Sequence, residues 1–253
     1  MTGDRAATTV PTLFPGACQV WWVGLDDVRP EHDALLGSVD LERRSRLTLP
    51  ADRQRLTAAW VVARVVLGSA TGTPPDRLRV DRSCARCGRQ HGKPWLPAAP
   101  ALHVSVAHSG RCVVVAVARG TPIGVDVEAV VELEPAELDV LVGATLAGEE
   151  RGALAGSAGE DRAHGFTTYW TRKEAVLKAT GEGLASPLEE LVVSPPSAPP
   201  RVLRWRGHEA LVGRLSLHPL HPPPGSIASL AVLGGPSTEV LEADAGPLLR
   251  LST

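Results

Sequence analysis

The hydrophobic positions of this chain change their spacing several times, and each change predicts an element. Strand-like apolar runs cover Gln19 to Leu25, Leu102 to Ala107, Arg111 to Ala118 and Ile123 to Glu128. Helical spacing covers Leu41 to Leu47, Ala51 to Leu67 behind Pro50, and the run from Trp170 to Thr180, where Gly181 predicts the stop. His108-Ser109-Gly110 and Arg119-Gly120-Thr121-Pro122 read as turns, so the three strands from Leu102 to Glu128 are expected to form an antiparallel meander. A further strand is expected at Leu78 to Asp81, and a loop over Cys84 to Leu96. Short helices and a flexible loop are expected over the glycine-broken stretch Val130 to Ala163. Strands then resume at Leu191 to Ser194, Val202 to Trp205, Leu211 to Leu217 and Ile227 to Leu233.

The chain also echoes itself. Ala51-Asp52-Arg53 through Trp60 and Arg64 to Ala70-Thr71-Gly72 matches Glu160-Asp161-Arg162 through Tyr169 and Lys173 to Ala179-Thr180-Gly181 at one constant offset. Each copy is a helix followed by a proline-containing loop and a strand. The expected architecture is therefore α+β: an N-terminal arm over 1–16, one half over 17–121, a similar half over 122–233, and a tail over 234–253. Ligand sites favour the junctions of such halves.

Two stretches carry chemistry. On the helix from Trp170, Glu174 and Lys178 lie one turn apart and share a face. In Gly124-Val125-Asp126-Val127-Glu128 the period of two sends Asp126 and Glu128 to one side and the valines to the core. In the expected meander His108 reaches the same edge. Asp126, Glu128 and Glu174 make an all-oxygen set suited to Mg²⁺ or Mn²⁺ and unsuited to zinc, and such sites commonly complete themselves with substrate phosphate. Lys178, Lys93, His108 and the arginines Arg43, Arg44, Arg46, Arg53 and Arg55 suit several phosphates. The plain alternative is a solvated helix pair worth ~0.2–0.5 kcal/mol and a solvated strand edge.

Composition narrows the field. The chain has 253 residues, 43% hydrophobic and 21% charged, enough for a substantial core. A formal net charge of −2 and a pI near 6.4 give no global attraction to nucleic acid or anionic membranes. No apolar run approaches ~20 residues and no secretory leader is visible, so a cytoplasmic protein is expected. No glycine-rich phosphate loop or dinucleotide fingerprint occurs, which argues against ordinary kinases and dehydrogenases. Cys18 and Cys112 read as buried thiols. Cys84-Ala85-Arg86-Cys87-Gly88 with His91 nearby supplies three soft ligands at zinc-compatible spacing, one short of a full structural set.

Taken together, Gly92-Lys93-Pro94-Trp95-Leu96, Val106-Ala107-His108-Ser109-Gly110, Gly124 to Glu128 and Trp170 to Leu184 closely resemble the motifs of the 4′-phosphopantetheinyl transferases of the surfactin-synthetase-activating type, in the family's order. The resemblance covers about Glu42 to Val232. It implies a monomer of two similar halves related by a pseudo-twofold, with coenzyme A and Mg²⁺ bound in the cleft between them. It also implies transfer of the phosphopantetheine arm to a serine of an apo acyl or peptidyl carrier protein, with release of adenosine 3′,5′-bisphosphate. Asp126, Glu128 and Glu174 then resemble the metal carboxylates, Glu174 being placed to take the serine proton, directly or through water. Lys178 resembles the lysine at the pyrophosphate. Arg43, Arg55, Lys93, Pro94, His108, Ser109 and Lys173 resemble coenzyme A contacts. Ala107 stands where the family usually has serine. The rival readings are a Mg²⁺-dependent hydrolase of coenzyme A or another nucleotide pyrophosphate, and a zinc-knuckle nucleic-acid-binding protein. Against the latter stands an aromatic content of only 4%, too little for base stacking.

Overall fold

A computed structural model describes residues 9–84, 86–131, 133–183, 186–234 and 238–251. The chain divides into two compact units: one runs up to Thr121 and takes in the segment from Thr238 onward, and the other spans Pro122–Ser237. The fold is mixed α/β.

The first unit holds a six-stranded sheet. Its strands are β1 (Ala17–Gly24), β2 (Asp81–Ser83), β3 (Gln90–Trp95), β4 (Leu102–Ser109), β5 (Cys112–Arg119) and, from the far end of the chain, β11 (Glu239–Asp244). Their order is β11-β1-β5-β4-β3-β2, antiparallel throughout except for the parallel β1–β11 pair. β1 and β5 are buried along nearly their whole length, which explains their unbroken apolar runs. Burial pushes the Cys18 thiol up to about 12 and the Cys112 thiol up to about 11, as expected of inert core cysteines. Helix α1 (Ser38–Ser45) leads to α2 (Pro50–Thr71), which opens on a proline and ends on Gly72 at φ +68°. One face of α2 carries the core residues Ala59, Val62, Ala63, Val66 and Leu67.

The second unit holds two smaller sheets. β6 (Ile123–Ala129), β10 (Ser226–Leu233) and β9 (Leu215–Pro219) form an antiparallel sheet in the order β6-β10-β9, and β7 (Leu191–Val193) pairs with β8 (Val202–Trp205). Helices α3 (Pro135–Thr145) and α4 (Gly148–Leu154) precede α5 (Gly159–Thr180), which packs on β6 and β10. A one-turn helix, α6 (Glu209–Val212), precedes β9, and α7 (Gly246–Leu251) closes the chain beside β11 in the first unit.

Several expectations are corrected. The three-strand meander is a two-strand hairpin, β4–β5, because β6 pairs with β10 in the other unit and takes no part in the β4–β5 sheet. The shared-edge route joining His108 to Asp126 and Glu128 therefore fails. The loop expected over 84–96 contains β3, the strand expected at 78–81 begins at Asp81, and the run 211–217 splits between α6 and β9. The expected tail is structural: β11 pairs with β1, Leu248 and Leu249 enter the core, and His32 Nε2 lies 3.0 Å from the Leu249 carbonyl. Residues 1–8 of the expected arm lie outside the described residues. Within the rest of it, Leu13 is buried and the Pro11 carbonyl accepts a bond from Gln19 Nε2 at 2.8 Å.

Candidate active site

In the second unit, β6 and α5 approach so closely that only glycine fits at the crossing. A Cβ on Gly124 would lie 2.1 Å from the Ala175 carbonyl oxygen and 2.3 Å from the Ala179 nitrogen. That contact brings the Asp126 end of β6 beside the turn of α5 bearing Glu174 and Lys178. Lys178 Nζ donates to Asp126 Oδ1 at 2.6 Å and to the Val125 carbonyl at 3.2 Å. Glu128 Oε1 accepts from Trp170 Nε1 at 3.3 Å.

The remaining carboxylate valences are unfilled. Asp126 Oδ2 and Glu174 Oε1 are buried without a hydrogen-bond partner, the only carboxylate oxygens in that state among the described residues. Burial pushes the Asp126 carboxyl up to about 7; Lys178 opposes the rise, while Glu128 and Glu174 add to it. Burial likewise raises Glu174, with Lys178 opposing and Glu128 adding. Each acid therefore feels another, the mark of a site short of positive charge. The donor set is all oxygen and fits a hard divalent cation. The three carboxylates do not draw to within 4.8 Å of one another; among the described residues only Cys84, Cys87 and His91 form such a group. Among the described residues, the Lys178 ammonium supplies the one positive charge held directly against Asp126.

Beside Glu128 lies an apolar groove formed with Val131, Leu138, Leu141, Phe166 and Trp170. Trp170 is thus a site residue to which the sequence reading assigned no role. Its signal was its place four residues before Glu174, on the same helical face.

Lys173 corrects the reading that set it among the coenzyme A contacts. Its side chain has no accessible surface, and its ammonium donates to Glu150 Oε2 at 2.5 Å and to the Thr145 and Leu188 carbonyls, each at 2.9 Å. All three N–H bonds are spoken for. It is a core cation, and burial lowers its pKa against the pull of Glu150.

The other phosphate candidates lie in the first unit. Arg55 Nε donates to the Gly110 carbonyl at 2.8 Å and NH1 to Asp52 at 2.7 Å, which ties Arg55 to the β4–β5 turn that follows His108 and Ser109. His108 is exposed and Ser109 half-buried. Lys93 and Pro94 are half-buried on β3, and burial lowers the Lys93 ammonium to about 8. Arg43 is half-buried near the end of α1. Leu184, the last residue of the motif that begins at Trp170, lies outside the described residues. No described helix is long and apolar enough to cross a membrane.

Residues 122–219 match the family described as the 4′-phosphopantetheinyl transferase superfamily, the span that contains Asp126, Glu128, Glu174 and Lys178. The 4′-phosphopantetheinyl transferase HetI of Nostoc sp. is 31% identical over 232 residues, covering 88% of this chain and 90% of that protein. The 4′-phosphopantetheinyl transferase Sfp of Bacillus subtilis is 28% identical over 167 residues, 64% of this chain and 69% of Sfp. An L-aminoadipate-semialdehyde dehydrogenase-phosphopantetheinyl transferase of Eremothecium gossypii is 36% identical over 144 residues, 54% of this chain and 50% of that protein. With a relative above 30% identity along nearly its whole length, and with the matched span carrying the carboxylate site, this chain belongs to the 4′-phosphopantetheinyl transferases.

Proposed function

We propose that the chain moves the 4′-phosphopantetheine arm of coenzyme A onto a serine hydroxyl of an apo carrier protein, using Asp126, Glu128 and Glu174 to hold Mg²⁺. The observation that carries this reading is the pair of buried, unpartnered oxygens, Asp126 Oδ2 and Glu174 Oε1, beside Lys178. A bound Mg²⁺ would neutralise charge on the pyrophosphate oxygens.

The work left to the protein is positioning and proton movement. The serine oxygen forms a bond to the phosphorus that bears the pantetheine arm as the bridging bond of the pyrophosphate breaks, and adenosine 3′,5′-bisphosphate leaves. Glu174 Oε1 accepts the serine proton, directly or through water; its burial raises its basicity toward that task. Lys178, anchored on Asp126, offers its ammonium to the pyrophosphate. Arg43, Arg55, Lys93, Pro94, His108 and Ser109 are assigned to coenzyme A. The gathering of Arg55 at the His108–Gly110 turn supports a shared anion for that subset. The apolar groove beside Glu128 and the exposed Val140 on α3 are assigned to the carrier, since a folded partner needs an apolar patch next to the reacting serine. A monomer acting on carriers of fatty-acid, polyketide or peptide synthases in the cytoplasm completes the proposal.

Mass spectrometry of an apo carrier protein incubated with coenzyme A and Mg²⁺ tests it. The expected result is the gain of one phosphopantetheine on the carrier, with coenzyme A stable until carrier is added. Cleavage of coenzyme A alone, with the carrier unmodified, would establish the hydrolase instead.

A further inference from the structure

The β2–β3 hairpin of the first unit gathers three soft ligands that the transfer reaction does not use. We propose that Cys84, Cys87 and His91 bind a soft divalent cation, zinc in the first place, which staples this hairpin. Their donor atoms all lie within 4.8 Å of one another, and Cys87 Sγ stands 2.9 Å from His91 Nε2. Zinc bonds of about 2.3 Å to sulfur and about 2.0 Å to nitrogen place neighbouring tetrahedral donors roughly 3.5–3.8 Å apart. The cluster therefore has the right dimensions once the Cys87–His91 contact opens from 2.9 Å by roughly 0.6 Å.

The turn is built to present these atoms. The Gly88 N–H donates to the Cys84 carbonyl at 2.7 Å, and the Cys84 N–H donates to the Arg89 carbonyl at 2.8 Å. Gly88 takes φ +72°, the left-handed conformation that folds the chain back after Cys87. The chain just past His91 sits flush against the strand leading to Cys84, since a Cβ on Gly92 would lie 3.0 Å from Cys84 Cα and from the Ser83 carbonyl. Ligands from the β2 end, from the turn and from β3 are thus held on one small frame. The Arg89 backbone N–H, its guanidinium and His91 all favour the Cys87 thiolate, whose pKa is lowered to about 6.

Two thiols and one imidazole suit zinc and exclude Mg²⁺, so this site is chemically separate from the carboxylates on β6 and α5. Both cysteines bind as thiolates, any remaining thiol proton going to solvent, His91 binds as the neutral imidazole through Nε2, and the two thiolates balance the dication. Among the described residues no fourth histidine, cysteine or carboxylate joins the group, and Cys87 and His91 are exposed, so the fourth position takes water. Lys93 follows His91 by two residues on β3, so the staple also steadies a residue assigned above to coenzyme A; that clause alone rests on the transferase reading.

The test is a cobalt titration of the full, reduced chain after chelator treatment. The expected result is a thiolate-to-cobalt charge-transfer band whose intensity corresponds to one cobalt per chain and which zinc displaces. The band should vanish in Cys84→Ser and Cys87→Ser. His91→Ala, which leaves both thiols, should weaken cobalt binding by about tenfold or more, since even outer-shell losses cost that much. Absence of the band, its persistence in either serine variant, or a Cys84–Cys87 disulfide in protein freshly purified under reducing conditions would overturn the proposal. None of these readouts depends on transferase activity.

Discussion

The two long helices of this protein share one scaffold and differ in what they display. Each has 22 residues and ends on a left-handed glycine, Gly72 or Gly181. In each the last threonine bonds back to the carbonyls three and four residues earlier: Thr71 to Leu67 and Gly68, Thr180 to Val176 and Leu177. At the matching position each buries a cation against a carboxylate. Arg64 donates to Asp40 and to the Pro75 and Leu78 carbonyls, and Lys173 to Glu150 and to the Thr145 and Leu188 carbonyls. The next residues diverge. Where α5 has Glu174 and Lys178, α2 has Val65 and Ser69.

The difference separates scaffold acids from site acids. Asp40 spends both oxygens, Oδ2 on Arg64 and Oδ1 on Arg82, and Arg82 also stacks 3.6 Å from the Trp60 ring centroid. Glu150 spends both as well, on Lys173 and on the Ala147 and Val193 backbone N–H groups. Asp126 and Glu174 each keep a buried oxygen unspent. A buried charge without a full set of partners is costly, and the proposed cation would supply the missing partner to both oxygens.

The largest effect expected from this contrast is on catalysis. Glu174→Gln should lower turnover at saturating coenzyme A by about two to four orders of magnitude, the cost of losing a positioned acid–base group, and Asp126→Asn should lower it by removing a hard metal ligand, with partial rescue at high Mg²⁺. Thermal melts should show both variants folded. A few-fold change would return α5 to the rank of a scaffold helix like α2.

Asp40→Asn should act the opposite way. It leaves Arg64 and Arg82 buried without their counter-charge, a loss of about 3–5 kcal/mol, while turnover per folded molecule stays near wild type. Chemical denaturation with activity normalised to the folded fraction checks this. Equal stability of variant and wild type would erase the distinction between the two classes of acid.

A smaller, pH-dependent effect carries a definite sign. Without metal, folded Asp126 keeps its proton to about pH 7, whereas the unfolded chain releases it near about pH 4. Between those values the folded state binds the extra proton. This group's contribution is therefore greatest below the unfolded value and is lost as pH rises through the folded one. The raised Glu174 carboxyl acts in the same direction. In chelator-treated protein, Asp126→Asn should melt progressively higher than wild type as pH goes from 5 to 8, by roughly a few degrees. A difference that is flat across that range would remove the buried-charge argument.

Much of this site was legible in the sequence, for local reasons. Glu174 and Lys178 follow from helical spacing, Asp126 and Glu128 from strand alternation, and Gly124 from a motif whose physical need the structure supplies in the Ala175 contact. What stayed hidden depends on partners distant in sequence. Alternation fixes which way β6 points and says nothing of its neighbour, which is β10, roughly a hundred residues on. The role of Lys173 could not be read locally because Glu150 lies 23 residues away. β11 escaped notice because a short, charge-interrupted edge strand looks like a tail until β1 is found beside it.

The most direct test of the account is the melting temperature of the purified chain with and without Mg²⁺, without coenzyme A, for wild type, Asp126→Asn and Asp40→Asn. A cation that binds only the folded state raises the melting temperature by mass action. The account expects Mg²⁺ to raise it in wild type and in Asp40→Asn and to leave Asp126→Asn unmoved. An equal rise in all three proteins, or none in wild type, would contradict the assignment of the unpaired carboxylates to a metal.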